Sequence, residues 1–483
     1  MPVAGILNDL KKLKHPKPVY LVGGIVRDLL LEHQTKDIDL VCLKAKTLAV
    51  KFGKSSGGSF FPLDEDNEIY RVVLKNNYLV DFAELRGKSI EEDLSLRDFT
   101  VDAMAVKLVD GSSLAVSGKD IIDPFCGQED LRRQVIKMVG TKIFKDDPLR
   151  LLRAFRLSAC QRFRIDKNTI NLLSRQARLI KKVAPERIRE ELIKILACSD
   201  SHIYLEQMDK AGLIEILIPE VKPMKTTARD FYGPNGVWSH TLSGLRYMEE
   251  ILPQIKKYFP RHADEIIEHL DEKITGEVRR WVILKMAYLL HDFGKPGTHT
   301  REGKRSRFYG HELAGVKLAE KILARLHFSK KEIRVITNII ANHMRPGNLS
   351  YLPEITDKAI YRYFRDLAEE GLDTFILSLA DAYTTEATVI KRKKQSIYPV
   401  DSGKHLKGVR EIVKRFHLNK KQIVPVSLLN GNEIMRKFSL HPGPQIGKLI
   451  NELKEAQAQK LVKNKPQAYA YLKNIIDKPS NLP

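Results

Sequence analysis

The stretch LVGGIVRDLLLEHQTKDIDL, residues 21–40, decides the fold of the N-terminal part of this 483-residue chain. Its first apolar run predicts a strand, the two glycines predict a tight turn, and the pattern that follows predicts a helix. A second apolar run then begins with Asp37 and Asp39. Because alternate side chains of a strand share a face, both carboxylates should point the same way. The stretch therefore predicts a mixed α/β region that carries an acidic site.

Further strands are predicted around this unit. Residues 71–74 and 78–85 read as a hairpin across a polar turn, and residues 103–109 read as another short strand. The second hairpin strand carries a third carboxylate, Asp81. Three carboxylates beside a glycine turn suit Mg²⁺ ions that hold a triphosphate, and they favour a polymerase-type transfer in which a hydroxyl attacks an α-phosphate and pyrophosphate leaves. The alternative is that these carboxylates simply face solvent.

The charge of the chain points to a polyanionic partner. Lys and Arg number 82 and Asp and Glu number 60, which gives a formal charge of +22. A chain this basic most often binds nucleic acid or an anionic membrane surface, and the alternative is a solvated, Lys-rich surface. The basic residues concentrate in residues 132–189 and 391–421, which favours a binding face. No apolar stretch of about 18 residues occurs, so we expect no membrane span. The N-terminal residues also lack a long apolar h-region, so we expect no signal peptide.

The cysteines exclude two classes of protein. The chain has four of them, and no two are close in sequence: Cys42, Cys126, Cys160 and Cys198. Without a CxxC pair, neither a zinc ribbon nor a disulfide framework is expected. A reducing cytoplasm is the location that this cysteine usage predicts.

From about Asp146 onward the periodicity is helical. In the segment ERIREELIKIL, residues 186–196, the apolar residues recur at the spacing of one helical face. Helical patterns continue to the C-terminus and are interrupted by turn sequences near residues 231–236, 343–348 and 441–444.

Several segments occur in an order that carries a resemblance. They are LVGGIVRDLL, KDIDL, LRDFTVDAMAV, IIDPFCGQEDL, KDDPLRLLRAFRL and ERIREELIKIL. This series resembles the successive motifs of the bacterial class II tRNA nucleotidyltransferases and the related bacterial poly(A) polymerases, over about residues 17–200. The resemblance implies an α+β fold, with a polymerase-β-type head of mixed sheet and helices, followed by an all-α neck, body, HD domain and tail.

The resemblance also implies roles for individual residues. Asp37 and Asp39 match the pair that binds Mg²⁺, and Asp81 is the expected third catalytic carboxylate. Asp123 lies in a motif that the family associates with coordinated domain motion. The positions that match nucleotide-binding residues are Gly24, Arg27, Arg97, Asp98, Asp146, Asp147, Arg150 and Arg153.

The base-reading motif DDPLR has a physical rationale. Asp147 and Arg150 are three residues apart, so on a helix they would share a face. A carboxylate accepts from the exocyclic amine of cytosine or adenine while a guanidinium donates to the ring, and uracil should be rejected. The alternative is that Asp147, which precedes Pro148, is a helix N-cap.

The chain departs from the family pattern at a few positions. Leu96 replaces an arginine, Asp102 replaces the usual asparagine, and Asp146 replaces a glutamate. The connection from Asp81 to Arg97 is also short, whereas enzymes that add the whole CCA end usually have a longer flexible loop there. The short connection resembles that of specialised CC-adding enzymes, or of relatives with restricted nucleotide choice, and it counts against full CCA addition.

A second constellation lies in the helical part. Its segments WSHTLSG, LLHDFGKPG, YGHELAG, ANHMRP and LADAY resemble the HD phosphohydrolase superfamily. Imidazole and carboxylate ligands suit a divalent transition metal such as Mn, Fe, Ni or Co, and Mg²⁺ is also compatible. Such an ion could activate water to attack a phosphate ester near Lys295. The alternatives are structural histidines or a domain that mainly holds tRNA. The expected ligands are His240, His291, Asp292, His311, His343 and Asp381.

These patterns combine into one prediction. The expected domains are a nucleotidyltransferase head at residues 1–145, a helical neck and body at 146–230, an HD domain at 231–400 and a basic tail at 401–483. The tail either grips tRNA or packs against the body. The expected function is template-independent extension of tRNA 3′ ends from CTP, with or without ATP. The alternatives are a poly(A) polymerase and an HD-type phosphatase or phosphodiesterase acting on RNA ends.

Overall fold

The structure is a computed structural model, and it describes residues 3–13, 18–108, 120–303, 305–392, 401–418 and 425–477. These residues form two compact units. The first unit contains the described residues up to Cys198 together with Gln207–Leu217. The second contains Ser199–Glu206 and the described residues from Ile218 onward.

The first unit is built on a mixed sheet of seven strands, in the order β3-β4-β5-β2-β1-β6-β7. Strands β2 and β5 are parallel, and the other neighbours are antiparallel. The strands are Val19–Val22 (β1), Asp37–Cys42 (β2), Ser59–Asp64 (β3), Ile69–Val73 (β4), Leu79–Glu84 (β5), Ala105–Lys107 (β6) and Ile121–Ile122 (β7). A separate parallel ladder pairs Val135–Ile136 (β8) with Arg164–Ile165 (β9).

Helices cover both faces of this sheet and extend beyond it. The larger apolar core lies on one face and includes Leu21, Ile38 and Phe82, whereas a smaller core on the other face includes Val22 and Val41. Helices of this unit are Val3–Lys11 (α1), Gly24–Leu30 (α2), Ala45–Ser56 (α3), Ile90–Ser95 (α4), Gly127–Arg132 (α5), Ile143–Asp146 (α6), Arg150–Gln161 (α7), Lys167–Gln176 (α8), Pro185–Leu196 (α9) and Leu213–Leu217 (α11); α10 (Ser201–Lys210) is divided between the two units.

The predicted strands and hairpin are confirmed. Strands β4 and β5 pair in antiparallel fashion, with Val73 opposite Leu79. The predicted strand at 103–109 is shorter than expected, since β6 begins at Ala105 and ends at Lys107, while Val109 lies outside the described residues. Helix α9 is also confirmed, with its apolar residues buried along one face.

The second unit is mainly helical. Two small antiparallel ladders interrupt it: Lys273–Thr275 (β10) with Val278–Arg279 (β11), and Thr300–Glu302 (β12) with Arg305–Arg307 (β13). No helix in the described part of the chain is long and apolar enough to cross a membrane. The helices are Val221–Thr226 (α12), Arg229–Tyr232 (α13), Gly236–Ile251 (α14), Ile255–Tyr258 (α15), Ala263–Asp271 (α16), Arg280–Leu290 (α17), His311–Arg325 (α18), Lys330–Asn342 (α19), Arg345–Ser350 (α20), Asp357–Leu367 (α21), Glu370–Arg392 (α22), Ser402–Leu418 (α23), Gly431–Phe438 (α24), Pro444–Ala458 (α25) and Lys465–Ile476 (α26).

The last three helices have an apolar core of their own, which includes Leu429, Leu449 and Leu472. The basic region predicted at 391–421 lies partly outside the described residues, because 393–400 and 419–424 are not described. The division of the chain into four domains stays a prediction.

Candidate active site and metal centre

A glycine turn opens the site of the first unit. Gly23 follows β1 and has φ +75°, a left-handed conformation that favours glycine. A Cβ added there would lie 2.9 Å from Nη1 of Arg97 and 3.6 Å from Oδ2 of Asp39. The missing side chain therefore leaves a cradle between a guanidinium and a carboxylate, where a phosphate and a cation can approach the backbone.

The predicted carboxylates lie on one face of the sheet. Asp37 and Asp39 alternate along β2, and Asp39 is the register partner of Asp81 on β5. Burial, followed by the charge of Asp81, raises the pKa of Asp39 to about 6. Carboxylates crowded in this way fit a divalent cation, because a cation relieves the repulsion between them.

Both oxygens of Asp81 already have a partner. Arg71 lies opposite Asp81 on β4 and donates from Nε to Oδ1 at 2.7 Å and from Nη2 to Oδ2 at 2.8 Å. Arg71 therefore competes with a cation for Asp81. This bidentate pair was not part of the sequence prediction, although the predicted hairpin puts these residues at equal distances from its turn.

Arg27 is buried in an ion-pair network. Its Nη1 donates to Oδ1 of Asp102 at 2.5 Å, and its Nε donates to Asp28 at 2.9 Å. Asp102 is the position where the family pattern has asparagine, so here the partner of Arg27 is a carboxyl group in place of an amide. In this structure the carboxyl groups of Asp28 and Asp102 hold Arg27 beside Gly24, which follows Gly23 in the glycine turn.

The arrangement of the base-reading motif differs from the prediction. Asp147 does not lie on a helix with Arg150, because α6 ends at Asp146, Asp147 is extended (φ −140°, ψ 102°) and α7 begins at Arg150. The cause is Pro148, whose ring disfavours a helical conformation in the residue before it. The alternative of a helix N-cap is also wrong, because the N-cap of α7 is Leu149 and has no side-chain hydrogen bond. Oδ1 of Asp147 instead accepts from the backbone N–H of Leu149 at 3.1 Å, two residues further on.

The motif nevertheless brings a carboxylate and a guanidinium to one region. Oδ2 of Asp147 accepts from Arg187 of α9 at 3.2 Å. Nη2 of Arg150 donates to the backbone oxygen of Leu96 at 2.8 Å, while its Nη1 is buried and has no hydrogen-bond partner among the described residues. This orphaned donor is suited to an acceptor on a bound base.

Two neighbouring predicted residues, Asp98 and Arg153, form an ion pair with each other. Oδ2 of Asp98 accepts from Nε of Arg153 at 2.7 Å. Burial alone would raise the pKa of Asp98, but Arg153 and Arg150 together lower it. Arg97 pairs with the buried Asp93 at 3.2 Å.

Two other predicted residues, Asp123 and Asp146, lie outside this network of ion pairs. The side chain of Asp123 accepts from the backbone N–H groups of Gly127 and Gln128, so it caps α5. Asp146 is exposed at the end of α6.

In the second unit, the six predicted HD residues converge. His240 lies on α14, His311 begins α18 and Asp381 lies on α22, while His291 and Asp292 follow α17 and His343 follows α19. Nε2 of His240 is 2.8 Å from Oδ1 of Asp381 and 3.7 Å from Oδ2 of Asp292. His311 and His343 face each other with their Nε2 atoms 3.1 Å apart.

Three of the histidines are oriented by the same local contact. Nδ1 of His291, His311 and His343 lies 2.7–2.8 Å from the backbone oxygen three residues earlier. Each contact requires a proton on Nδ1, which leaves Nε2 as the atom that can bind a metal. Burial, reinforced by His311 and His291, lowers the pKa of His343 to about 3, so this ring is neutral at physiological pH.

The nitrogen and oxygen atoms of the HD residues fit a divalent metal ion. Two groups of possible ligands share Asp292, and the ligand atoms within each group lie within 4.8 Å of one another; the groups are His240, His291 and Asp292, and Asp292, His311 and His343. Nε2 of His291 and Oδ1 of Asp292 are buried and have no hydrogen-bond partner among the described residues. Buried polar atoms left in this way are consistent with a site built for a cation.

Lys295 adds a fixed positive charge at this centre. Its Nζ donates to Oδ2 of Asp292 at 2.6 Å and to the hydroxyl of Tyr232 at 3.2 Å. Burial opposes its charge, but Asp292 raises its pKa, so Lys295 stays protonated. Tyr232 was not among the predicted site residues.

Comparisons with known proteins match the regions of the chain that contain the two sites. The family described as poly A polymerase head domain matches residues 19–137, a probable RNA and SrmB-binding site of polymerase A matches 162–225, and the HD domain matches 237–386. The CC-adding tRNA nucleotidyltransferase of Thermus thermophilus is 30% identical over 465 residues, which cover 95% of this chain and 93% of that protein. The chain belongs to the tRNA nucleotidyltransferase family.

Two further proteins are similar to this chain. The A-adding tRNA nucleotidyltransferase of Deinococcus radiodurans is 28% identical and covers 95% of both chains. The solved structure of the Thermotoga maritima CCA-adding enzyme complexed with tRNA has a TM-score of 0.58 and 22% identity, and the match covers 95% of this chain and 91% of that one. At that identity the likeness concerns the fold. The chain is a nucleotidyltransferase, with an HD domain in its second unit.

Proposed function

We propose that this tRNA nucleotidyltransferase adds the two cytidylates of the CCA end to tRNA. The observation that carries the proposal is the connection from Asp81 to Arg97. After β5 ends at Glu84, only five residues precede α4. Within that connection Glu92 accepts from the backbone N–H of Lys88 at 2.7 Å, and Ser89 caps α4. A short, hydrogen-bonded connection leaves little freedom to reshape the site from C to A.

The carboxylates of the first unit are proposed to hold Mg²⁺. Asp37 and Asp39 are the two ligands, and Asp81 becomes the third when Arg71 releases it. Mg²⁺ bound there would neutralise charge on the triphosphate and favour the ionised form of the attacking 3′-hydroxyl. The backbone of the Gly23 turn and the guanidinium of Arg97 are positioned to receive phosphate oxygens.

Selection of the base is assigned to Asp147 and Arg150. The free Nη1 of Arg150 donates to the ring edge of cytosine, and Asp147 accepts from its exocyclic amine. Arg187 keeps Asp147 oriented until the base arrives. Uracil presents an acceptor where the amine of cytosine would be, so it would leave Asp147 facing a second acceptor.

The decisive experiment uses three tRNA transcripts, ending at the discriminator base, after one C and after both. Each is incubated with Mg²⁺ and CTP, ATP or UTP, alone or combined, and the products are read at nucleotide resolution. We expect addition to stop after two Cs. Completion of CCA, addition of A alone to the CC-ended transcript, or long A tracts on unrelated RNA would each reject the CC assignment.

A pair of variants tests the carboxylates. Asp37→Ala and Asp39→Ala should abolish incorporation while tRNA binding, measured by filter retention, survives. Asp66→Ala removes an exposed aspartate of the β3–β4 turn and serves as the matched control. Incorporation by either of the first two variants at the control's rate would contradict the assignment of these carboxylates as Mg²⁺ ligands.

A second activity is proposed for the HD centre, because its six predicted ligands converge and their nitrogen and oxygen atoms suit a divalent cation. We assign it a divalent transition metal or Mg²⁺, which would activate water for attack on a phosphate ester or a 2′,3′-cyclic phosphate. Lys295 would stabilise negative charge on the phosphate. Release of phosphate from a phosphomonoester, and opening of a 2′,3′-cyclic phosphate to a monoester, should disappear in His291→Ala and Asp292→Asn and persist in Asp37→Ala. His441→Ala, which changes an exposed histidine, is the control. Phosphate release that survives the loss of Asp292 would refute the assignment.

A further inference from the structure

Two cysteines of the first unit lie in direct contact. Cys160 is in the last turn of α7, and Cys198 follows the end of α9 by two residues. Their Sγ atoms are 2.7 Å apart. That separation is longer than the roughly 2.05 Å of a disulfide bond, so the structure holds the reduced pair with its sulfurs already within reach of bond formation.

We propose that Cys160 and Cys198 form a redox-responsive thiol pair, which a low-molecular-weight disulfide oxidises to a disulfide that locks α7 against α9 and slows nucleotide addition. The location supports this proposal. Cys160 is exposed and Cys198 is partly exposed, so a small oxidant can reach them. By contrast, Cys42 is buried, and burial raises the pKa of its thiol to about 12.

The surroundings also favour reaction at Cys160. The hydrogen bond with Cys198 lowers the pKa of the Cys160 thiol to about 7; burial opposes this effect, and the charge of Arg156 adds to it. Since the thiolate is the nucleophile in thiol–disulfide exchange, a substantial fraction of Cys160 is reactive at neutral pH. Cys198 has the carbonyl oxygen of Lys194 at 3.3 Å as an alternative acceptor for its proton.

The chemistry balances in two exchanges. The Cys160 thiolate attacks one sulfur of the small disulfide, whose S–S bond breaks and releases one thiolate. Cys198 then loses its proton and attacks the Cys160 sulfur, which forms the protein disulfide and releases the second thiolate. The protein loses two electrons and two protons, and the small disulfide is reduced to two thiols.

The lock would act on the helices that hold the base-reading residues. Helix α7 carries Arg150, and helix α9 carries Arg187, the partner of Asp147. An ion pair between Arg156 and Glu191 joins the two helices at 2.8 Å in the reduced state, and it can break and re-form. A disulfide between Cys160 and Cys198 would break only when a reductant cleaves it. Its effect on rate rests on the proposed function, because Asp147 must exchange Arg187 for the incoming base.

The test treats the full-length reduced protein with oxidised glutathione and maps its peptides without reduction. We expect a cross-linked peptide pair containing Cys160 and Cys198, with the loss of two hydrogens. Cys198→Ser should carry glutathione on Cys160 instead, and Cys126→Ser should still form the cross-link. Separate glutathione adducts on Cys160 and Cys198 of the unmutated protein, or no reaction at either, would overturn the proposal.

The rate is measured on the same samples. Oxidised protein should incorporate CMP several-fold more slowly than reduced protein, and dithiothreitol should restore the rate. The Cys160→Ser/Cys198→Ser double variant should show no difference between the two conditions. A cross-linked protein with the rate of the reduced form would refute the switch. Reduced protein that incorporates no CMP would instead contradict the proposed function and leave the peptide map as an independent result.

Discussion

Replacing Gly294 by alanine should damage the HD centre selectively. Gly294 follows the His291–Asp292 pair by two residues. A Cβ on Gly294 would lie 2.0 Å from the backbone oxygen of His311 and 2.5 Å from the backbone nitrogen of Gly315. Both atoms belong to α18, whose first residue is one of the proposed metal ligands. The clash is with backbone, so no side chain can rotate away to relieve it.

The size of the disturbance follows from these distances. A close carbon–oxygen contact is about 3.3 Å, so the two segments must separate by about 1.3 Å. Metal–ligand distances tolerate only about 0.2 Å. Overpacking of this kind costs about 1–3 kcal/mol, which is less than the roughly 5–15 kcal/mol that holds a typical domain folded. The variant should therefore fold but misplace His311 relative to Asp292.

The assay measures metal content after reconstitution with Mn²⁺ or Co²⁺, by mass spectrometry, together with phosphate release. Gly297→Ala is the matched control, because a Cβ there meets nothing within 4 Å. Circular dichroism checks that both variants are folded, and CMP incorporation checks the first unit. If Gly294→Ala binds metal as the control does, the close packing of α18 against this turn does not position the ligand, and the reasoning fails.

Two further predictions concern the first unit. Arg187→Ala removes the partner of Asp147, and because the pair is partly exposed, stability should change by no more than about 1 kcal/mol. Discrimination between CTP and UTP, measured as the ratio of kcat/KM values, should fall several-fold, and an unchanged ratio would count against a positioning role for Arg187. Burial and Asp81 raise the pKa of Asp39 to about 6. Since Mg²⁺ needs the ionised carboxylate, which is lost as pH falls, the half-saturating Mg²⁺ concentration should rise about tenfold one pH unit below that pKa. A half-saturating concentration that does not change with pH would contradict the assignment of Asp39 as a ligand.

Prediction from the sequence succeeded where a feature depends on local spacing and failed where a proline interrupts that spacing. Patterns of local spacing predicted the strand that carries Asp37 and Asp39, the hairpin that carries Asp81, and helix α9. The same reasoning failed at Asp147, where a spacing of three suggested a shared helix. Pro148 breaks the helix at that point, so the carboxylate reaches its neighbours from an extended segment. A local rule about proline would have detected this break, whereas spacing alone did not.

The sequence by itself determined the family, through an ordered series of motifs. It also determined the glycine turn and the acidic face of the sheet, because these two features depend on residue types at a short, regular spacing. Only the tertiary structure decided which charges are paired. Arg27 meets Asp102, 75 residues away; Arg187 meets Asp147 across 40 residues; and Cys160 meets Cys198 across 38. The physical reason is that such contacts depend on how helices and strands pack together, and periodicity within an element carries no information about the partner that packing brings to it.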